Sequence, residues 1–249
     1  MTPAISYPET ASPPVRSKRL WAFTALAFAL FLISTLANFL YPGTETSMGE
    51  VQRVFYIHLG SFAGAFLTFT IAVFAGLAYL RTRQTKWDHL GVASVEVGLG
   101  LSAVTIVTGA VWARPIWGTF WTWDPRLSTI AIMWLTYAAY LFLRAALEDP
   151  EQKRRFCAVY GILAFGSVLL TVVIIRIRPD AIHPVVAGPS VTSTEAVGDF
   201  NLSPRIAQTV LLSMIAYLFV SIALLWHRVR LEERAEQIYA RKAQALSRL

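Results

Sequence analysis

The run Trp117-Gly118-Thr119-Phe120-Trp121-Thr122-Trp123-Asp124 puts three tryptophans in seven residues. Trp112 lies just upstream, so half of the chain's eight tryptophans fall within twelve positions. An indole offers a large, rigid, apolar face with one N–H donor. Crowding several into one short loop suits a ligand that is itself large, flat and partly apolar. The side chains best able to add a metal-binding function are the four histidines, His58, His89, His183 and His227. Which of them can meet the tryptophans depends on how the chain is threaded.

Composition sets the threading. Of 249 residues, 55% are hydrophobic and 15% charged, too apolar for an ordinary soluble domain. A bilayer core asks for about 20 mostly apolar residues per helix. Six runs supply them: Leu20–Leu40, Val54–Leu80, Leu90–Val111, Leu127–Leu143, Phe156–Ile175 and Ile206–Trp226. None carries the polar stripe of a soluble amphipathic helix. The expectation is an all-α, polytopic membrane protein with six transmembrane helices over residues 20–227. A polar leader occupies residues 1–19 and a basic tail helix residues 228–249. The first run exceeds the roughly 7–15 apolar residues of a cleaved signal peptide and reads as a retained signal-anchor. A single cysteine, Cys157, excludes an intramolecular disulfide, a Cys-x-x-Cys redox pair and a Cys-x-x-Cys-His heme attachment site.

Charge then sorts the faces. Six spans put both termini on one side, and that side carries 16 of the 22 Lys and Arg residues. The positive-inside rule places it in the cytoplasm, and the net charge of +7 is explained by anionic lipid headgroups, without nucleic acid. The expected location is a bacterial inner membrane. His89 and His227 fall on the inner side. His58, one turn into the second span, and His183, in outer loop 176–205, share the outer face with tryptophan-rich loop 112–126.

Iron porphyrin is the ligand this combination suits. It is flat, and its iron takes neutral imidazole as an axial ligand. His58 and His183 can approach such an iron from opposite faces, while Trp117, Trp121 and Trp123 stack on or edge the ring. Gly118 admits close backbone approach, and Pro115 and Pro125 restrict the loop. The propionates need cations, for which Arg114, Arg126, Arg176 and Arg178 are available. Asp124 is expected to hold the loop by accepting an indole N–H or pairing with Arg126. The plain alternative, an interfacial anchoring belt, suits Trp21, Trp87 and Trp226. It does not account for three tryptophans beside Gly and Asp.

The motif Trp117-Gly118-x-x-Trp121-x-Trp123-Asp124, with Pro125-Arg126-Leu127 after it and Tyr56-Ile57-His58 opening the second span, resembles the heme exporter protein C family. The likeness runs from about residue 20 to 227. It implies non-covalent, bis-histidine heme b held at the outer face by His58 and His183. Trp117, Trp121, Trp123 and Asp124 then form the heme-facing loop. It also implies delivery of that heme to a membrane-anchored heme chaperone during cytochrome c maturation, alongside the ATPase and permease subunits of an ABC transporter and a small membrane subunit. Two places depart from the family's habit: Leu59-Gly60 stands where Val-Pro is common, and Arg178-Pro179-Asp180 precedes His183 without the frequent Trp pair.

Two other readings stand beside this one. A b-type electron-transfer protein would need histidine pairs near both faces. A non-heme transporter subunit would need its ATPase from elsewhere, since no Gly-x-x-x-x-Gly-Lys-Ser/Thr loop occurs. No hydrolase or redox motif is present; a heme-transfer or lyase-type activity stays open. Glu96, inside the third span, is expected to be neutral and hydrogen-bonded to Ser94, Ser102 or Thr105. Gly91, Gly98, Gly100 and Gly109 are expected to permit close helix packing.

Overall fold

The computed structural model describes residues 17–178, 180–185 and 202–247. Most of the leader expected over 1–19, and most of loop 176–205, lie outside them. Among the described residues are six helices long and apolar enough to cross a membrane: α1 (Lys18–Leu40), α2 (Gln52–Thr82), α3 (Thr85–Trp117), α4 (Pro125–Ala146), α5 (Pro150–Ile177) and α6 (Pro204–Leu246). The expected spans all fall within them.

The helix starts follow from local chemistry. Asp124-Pro125, Asp149-Pro150 and Ser203-Pro204 each put a capping side chain before a proline at the first helical position. Proline has no N–H to orphan there, and the cap accepts one of those that remain. Asp149 accepts from Gln152 N at 2.7 Å. α3 is longer than its apolar run predicts. It continues through Pro115 to Trp117, so Trp112 and Trp117 are helical and the loop proper is only residues 118–124.

α2 and α3 pack along their lengths as an antiparallel pair, joined by a turn at Arg83, which adopts φ +58°. α1 lies antiparallel on α6: Thr24 Oγ1 is 2.8 Å from His227 Nε2, Ser34 Oγ is 2.9 Å from Ser213 Oγ, and Tyr41 OH donates to Gln208 Oε1 at 2.6 Å. The start of α1 therefore shares one end of the bundle with residue 227. The other end, which carries the tryptophan loop, is called here the loop end. Within the core Phe69 stacks on Tyr137, ring centroids 3.9 Å apart. Large side chains such as Phe28, Leu36, Phe142 and Leu163 are exposed on the outside, as a hydrocarbon solvent allows.

Three expectations are corrected. Glu96 is not a lone neutral carboxyl: the Arg228 guanidinium of α6 pairs with it, Nη2 to Oε1 at 3.0 Å, and also with Glu232 at 2.9 Å. Of the four α3 glycines, Gly100 faces open space and serves no packing, whereas a methyl group at Gly98 would meet the Phe69 ring at 2.6 Å. His89 belongs to no loop. It is buried in the second turn of α3, its Nε2 3.0 Å from Glu236 Oε2. Arg154 also reaches Glu236, at 2.7 Å, and Arg144 forks onto Asp88 at 2.8 and 2.7 Å. These pairs fasten α6, beyond its apolar part, to the ends of α3, α4 and α5.

Candidate functional site

At the loop end a cavity of about 720 Å³, partly open to solvent, lies between α2, α3, α4 and the segment after α5. Both expected histidines line it. α2 gives His58, with Phe55 and Leu59 beside it; the segment after α5 gives His183 and Pro184. α3 contributes Thr105, Ile106, Gly109, Trp112 and Trp117, the loop Trp121, and α4 Arg126, Leu127 and Ile130.

The two imidazole rings lie 6.2 Å apart, centroid to centroid, inclined at 32°. Each is held by one nitrogen. His58 Nδ1 is 2.9 Å from the Thr105 carbonyl oxygen, and His183 Nδ1 is 3.0 Å from the Pro184 carbonyl oxygen. A carbonyl only accepts, so both Nδ1 atoms carry the proton and both Nε2 atoms keep their lone pair. Neither Nε2 has a hydrogen-bond partner among the described residues. Loss of hydration on burial, with Arg126 and His58 as lesser causes, lowers the His183 pKa from its ordinary 6.5 to about 3. The ring stays neutral and able to donate that pair at any physiological pH. No group of three or more His, Cys, Asp or Glu able to hold a metal occurs among the described residues. Among the described residues the donor set at the cavity is two imidazoles.

The walls are aromatic. Trp117 stands edge-on to His183, centroids 6.5 Å apart, and to Trp112, 5.4 Å apart. Trp121 Nε1 and Arg126 Nη1 are buried with no hydrogen-bond partner among the described residues. The Arg126 guanidinium lies 5.4 Å from the centre of the Phe62 ring. Beside the two imidazoles, its Nη1–H is a donor from which an anionic group can accept a charge-assisted hydrogen bond.

The remaining predicted residues support the loop and do not line the cavity. Asp124 accepts from neither an indole nor the Arg126 side chain. It caps α4, taking 2.9 Å hydrogen bonds from Arg126 N and Thr122 Oγ1, and so sets the backbone that carries Arg126. Gly118 ends α3 at φ +75°, a conformation that favours glycine, with its N–H on the Arg114 carbonyl at 3.0 Å. Arg114 folds back onto the Gly118 carbonyl and lies over Phe120. Trp123 packs edge-on to Trp121 and is 76% exposed, in a separate groove with Ile174 and Arg178. Arg178 is paired with Asp180 at 2.7 Å. Thr105, Gly109, Phe55 and Pro184 were not predicted as site residues. Only Thr105 and Gly109 left a trace in the sequence, as an i, i+4 pair on one face of α3.

The family model described as CcmC, heme exporter protein C, matches residues 5–246. The curated heme exporter protein C of Rhodobacter capsulatus is 26% identical over 225 residues, 90% of each chain. That of Paracoccus denitrificans is 26% identical over 82% of this chain and 81% of its own. The Escherichia coli K12 protein of the same name is 26% identical over 61% of this chain and 63% of its own.

Proposed function

This chain belongs to the heme exporter protein C (CcmC) family, and from that premise we propose that the loop-end cavity holds heme for delivery in cytochrome c maturation. The observation that carries the reading is the histidine pair, with both Nδ1 atoms spent on carbonyls and both Nε2 lone pairs available. Two imidazoles sharing one metal ion put their ring centres roughly 6 Å apart, given metal–nitrogen bonds of about 2 Å. The 6.2 Å separation of His58 and His183 agrees with that span.

In this reading His58 and His183 are the axial ligands of a non-covalent heme b. Trp117 and Trp121 supply flat apolar surface, and Arg126 Nη1, with Trp121 Nε1, receives a propionate. Asp124, Gly118, Arg114 and Trp123 shape the loop and its outward surface, which is the place for a heme chaperone to approach. The heme brings the iron; the chain itself binds, orients and shields, and makes or breaks no covalent bond. The positive charge at the terminal end supports a reading with both termini in the cytoplasm and the cavity on the far face of the membrane. ATP-driven steps belong to separate ABC ATPase and permease subunits, with a small membrane subunit alongside.

The b-type electron-transfer reading has no second histidine pair to draw on. His89 Nε2 is occupied by Glu236 and His227 Nε2 by Thr24. The deciding experiment is the visible spectrum of the detergent-purified protein with hemin, oxidised and then reduced. A sharp Soret band with split low-spin bands on reduction is expected. Absence of any heme band after hemin addition would remove the reading.

A further inference from the structure

We propose that Gly109 is the positioning residue for the His58 ligand: its missing side chain is the slot that holds the imidazole in its metal-ready orientation. This rests on the reading of His58 as a heme ligand. Thr105 and Gly109 stand one turn apart on the same face of α3. Thr105 gives His58 its carbonyl acceptor, 2.9 Å from Nδ1. Gly109 gives it room: a methyl group there would lie 3.0 Å from Cε1 and 3.2 Å from Nδ1 of the same ring. Carbon atoms at optimal separation stand about 3.5–4.0 Å apart, so any side chain at 109 must push the ring away.

The direction of that push matters. Cε1 is the ring carbon bonded to both nitrogens. Displacing it either pulls Nδ1 off the Thr105 carbonyl or changes the placement of the ring relative to His183, now 6.2 Å away between centroids. The helices themselves are tied in register at this level, Ser61 Oγ lying 2.9 Å from Thr105 Oγ1 and donating to the His58 carbonyl at 3.1 Å, so the few tenths of an ångström must come from the ring. One turn of α3 thus fixes the tautomer and the aim of the ligand together. Gly100, on the same helix, meets nothing within 4 Å of its notional side chain. It is the matched control for helix propensity.

The test compares Gly109→Ala, Gly100→Ala and wild type as full-length detergent-purified proteins titrated with hemin. Gly109→Ala is expected to lose at least half of the low-spin six-coordinate signal and to weaken hemin affinity by about tenfold, the lower end of what loss of a ligand-supporting contact costs. Free imidazole should restore the low-spin bands. Gly100→Ala should match wild type in spectrum and affinity. Because Gly109→Ala could also disturb packing, the substitution is repeated on a His58→Ala background, where the clash partner is gone. There it should change neither apo-protein melting nor residual hemin binding. Further loss on that background would make Gly109 a general packing residue and overturn the proposal. So would a wild-type spectrum in the Gly109→Ala single variant. Failure of wild type to bind hemin would instead remove the underlying heme reading.

Discussion

The two ends of the bundle gather the same kinds of side chain and wire them in opposite ways. At the terminal end His89 meets Glu236, Arg144 forks onto Asp88, Arg154 bridges to Glu236, and Arg228 holds Glu96 and Glu232. At the loop end, among the described residues, His58 and His183 bond through Nδ1 alone, and Trp121 Nε1 and Arg126 Nη1 are buried without a hydrogen-bond partner. Closed networks hold helices together. Open valence, kept dry by tryptophan, is what a binding site leaves for its ligand. Histidine count or arginine count alone would not separate these regions; the state of each nitrogen does.

The comparison can be broken most forcefully at its closed end. Asp88→Ala strips Arg144 of its forked partner in a buried setting, and such losses cost on the order of 3–5 kcal/mol. Melting of the apo protein should drop steeply, while hemin bound by the surviving folded fraction keeps its wild-type spectrum. His58→Ala should do the reverse. Hemin retention, measured by absorbance after gel filtration, should fall by more than the roughly 10–100-fold that loss of a supporting contact costs, with melting little changed. Wild-type retention would take His58 out of the ligand set.

Arg126→Gln sharpens the contrast through its sign. Charged hydrogen bonds contribute about 1.5–3 kcal/mol, so hemin affinity should fall about tenfold or more. The apo protein should melt no lower than wild type, because a guanidinium with a buried, unsatisfied N–H has been replaced by a neutral amide. A destabilised apo protein would mean that Arg126 is structurally paired after all. The smallest effect belongs to Trp123→Ala. With its indole 76% exposed outside the cavity, the hemin spectrum should not move; a shifted Soret band would bring Trp123 into the site.

The spans were legible because lipid leaves a plain record: about 20 apolar residues at a time. The candidate site was legible where residue type speaks without a partner, as in the tryptophan cluster and the two loop-end histidines. What escaped was tertiary. Asp88 and Arg144 are 56 residues apart and Glu96 and Arg228 are 132 apart, and no local pattern joins them. Glu96 therefore looked solitary. Pro115 suggested a loop boundary, yet α3 runs through it, since the residues around it still had helix to form and neighbours to pack on. Gly109 was visible as one of four glycines, but only its ring neighbour distinguishes it from Gly100.

The two loop-end imidazoles rest on carbonyl oxygens and not on carboxylates. A ligating histidine whose Nδ1–H faces a carboxylate gains basicity and grips its metal harder. His58 and His183 face neutral backbone oxygens instead, and the one buried histidine that does meet a carboxylate, His89, sits at the other end. An iron held between them would draw less electron density than one whose imidazoles are backed by carboxylates, and would be held less firmly. Those are the properties of a hand-off point, where a cargo is steadied and then let go.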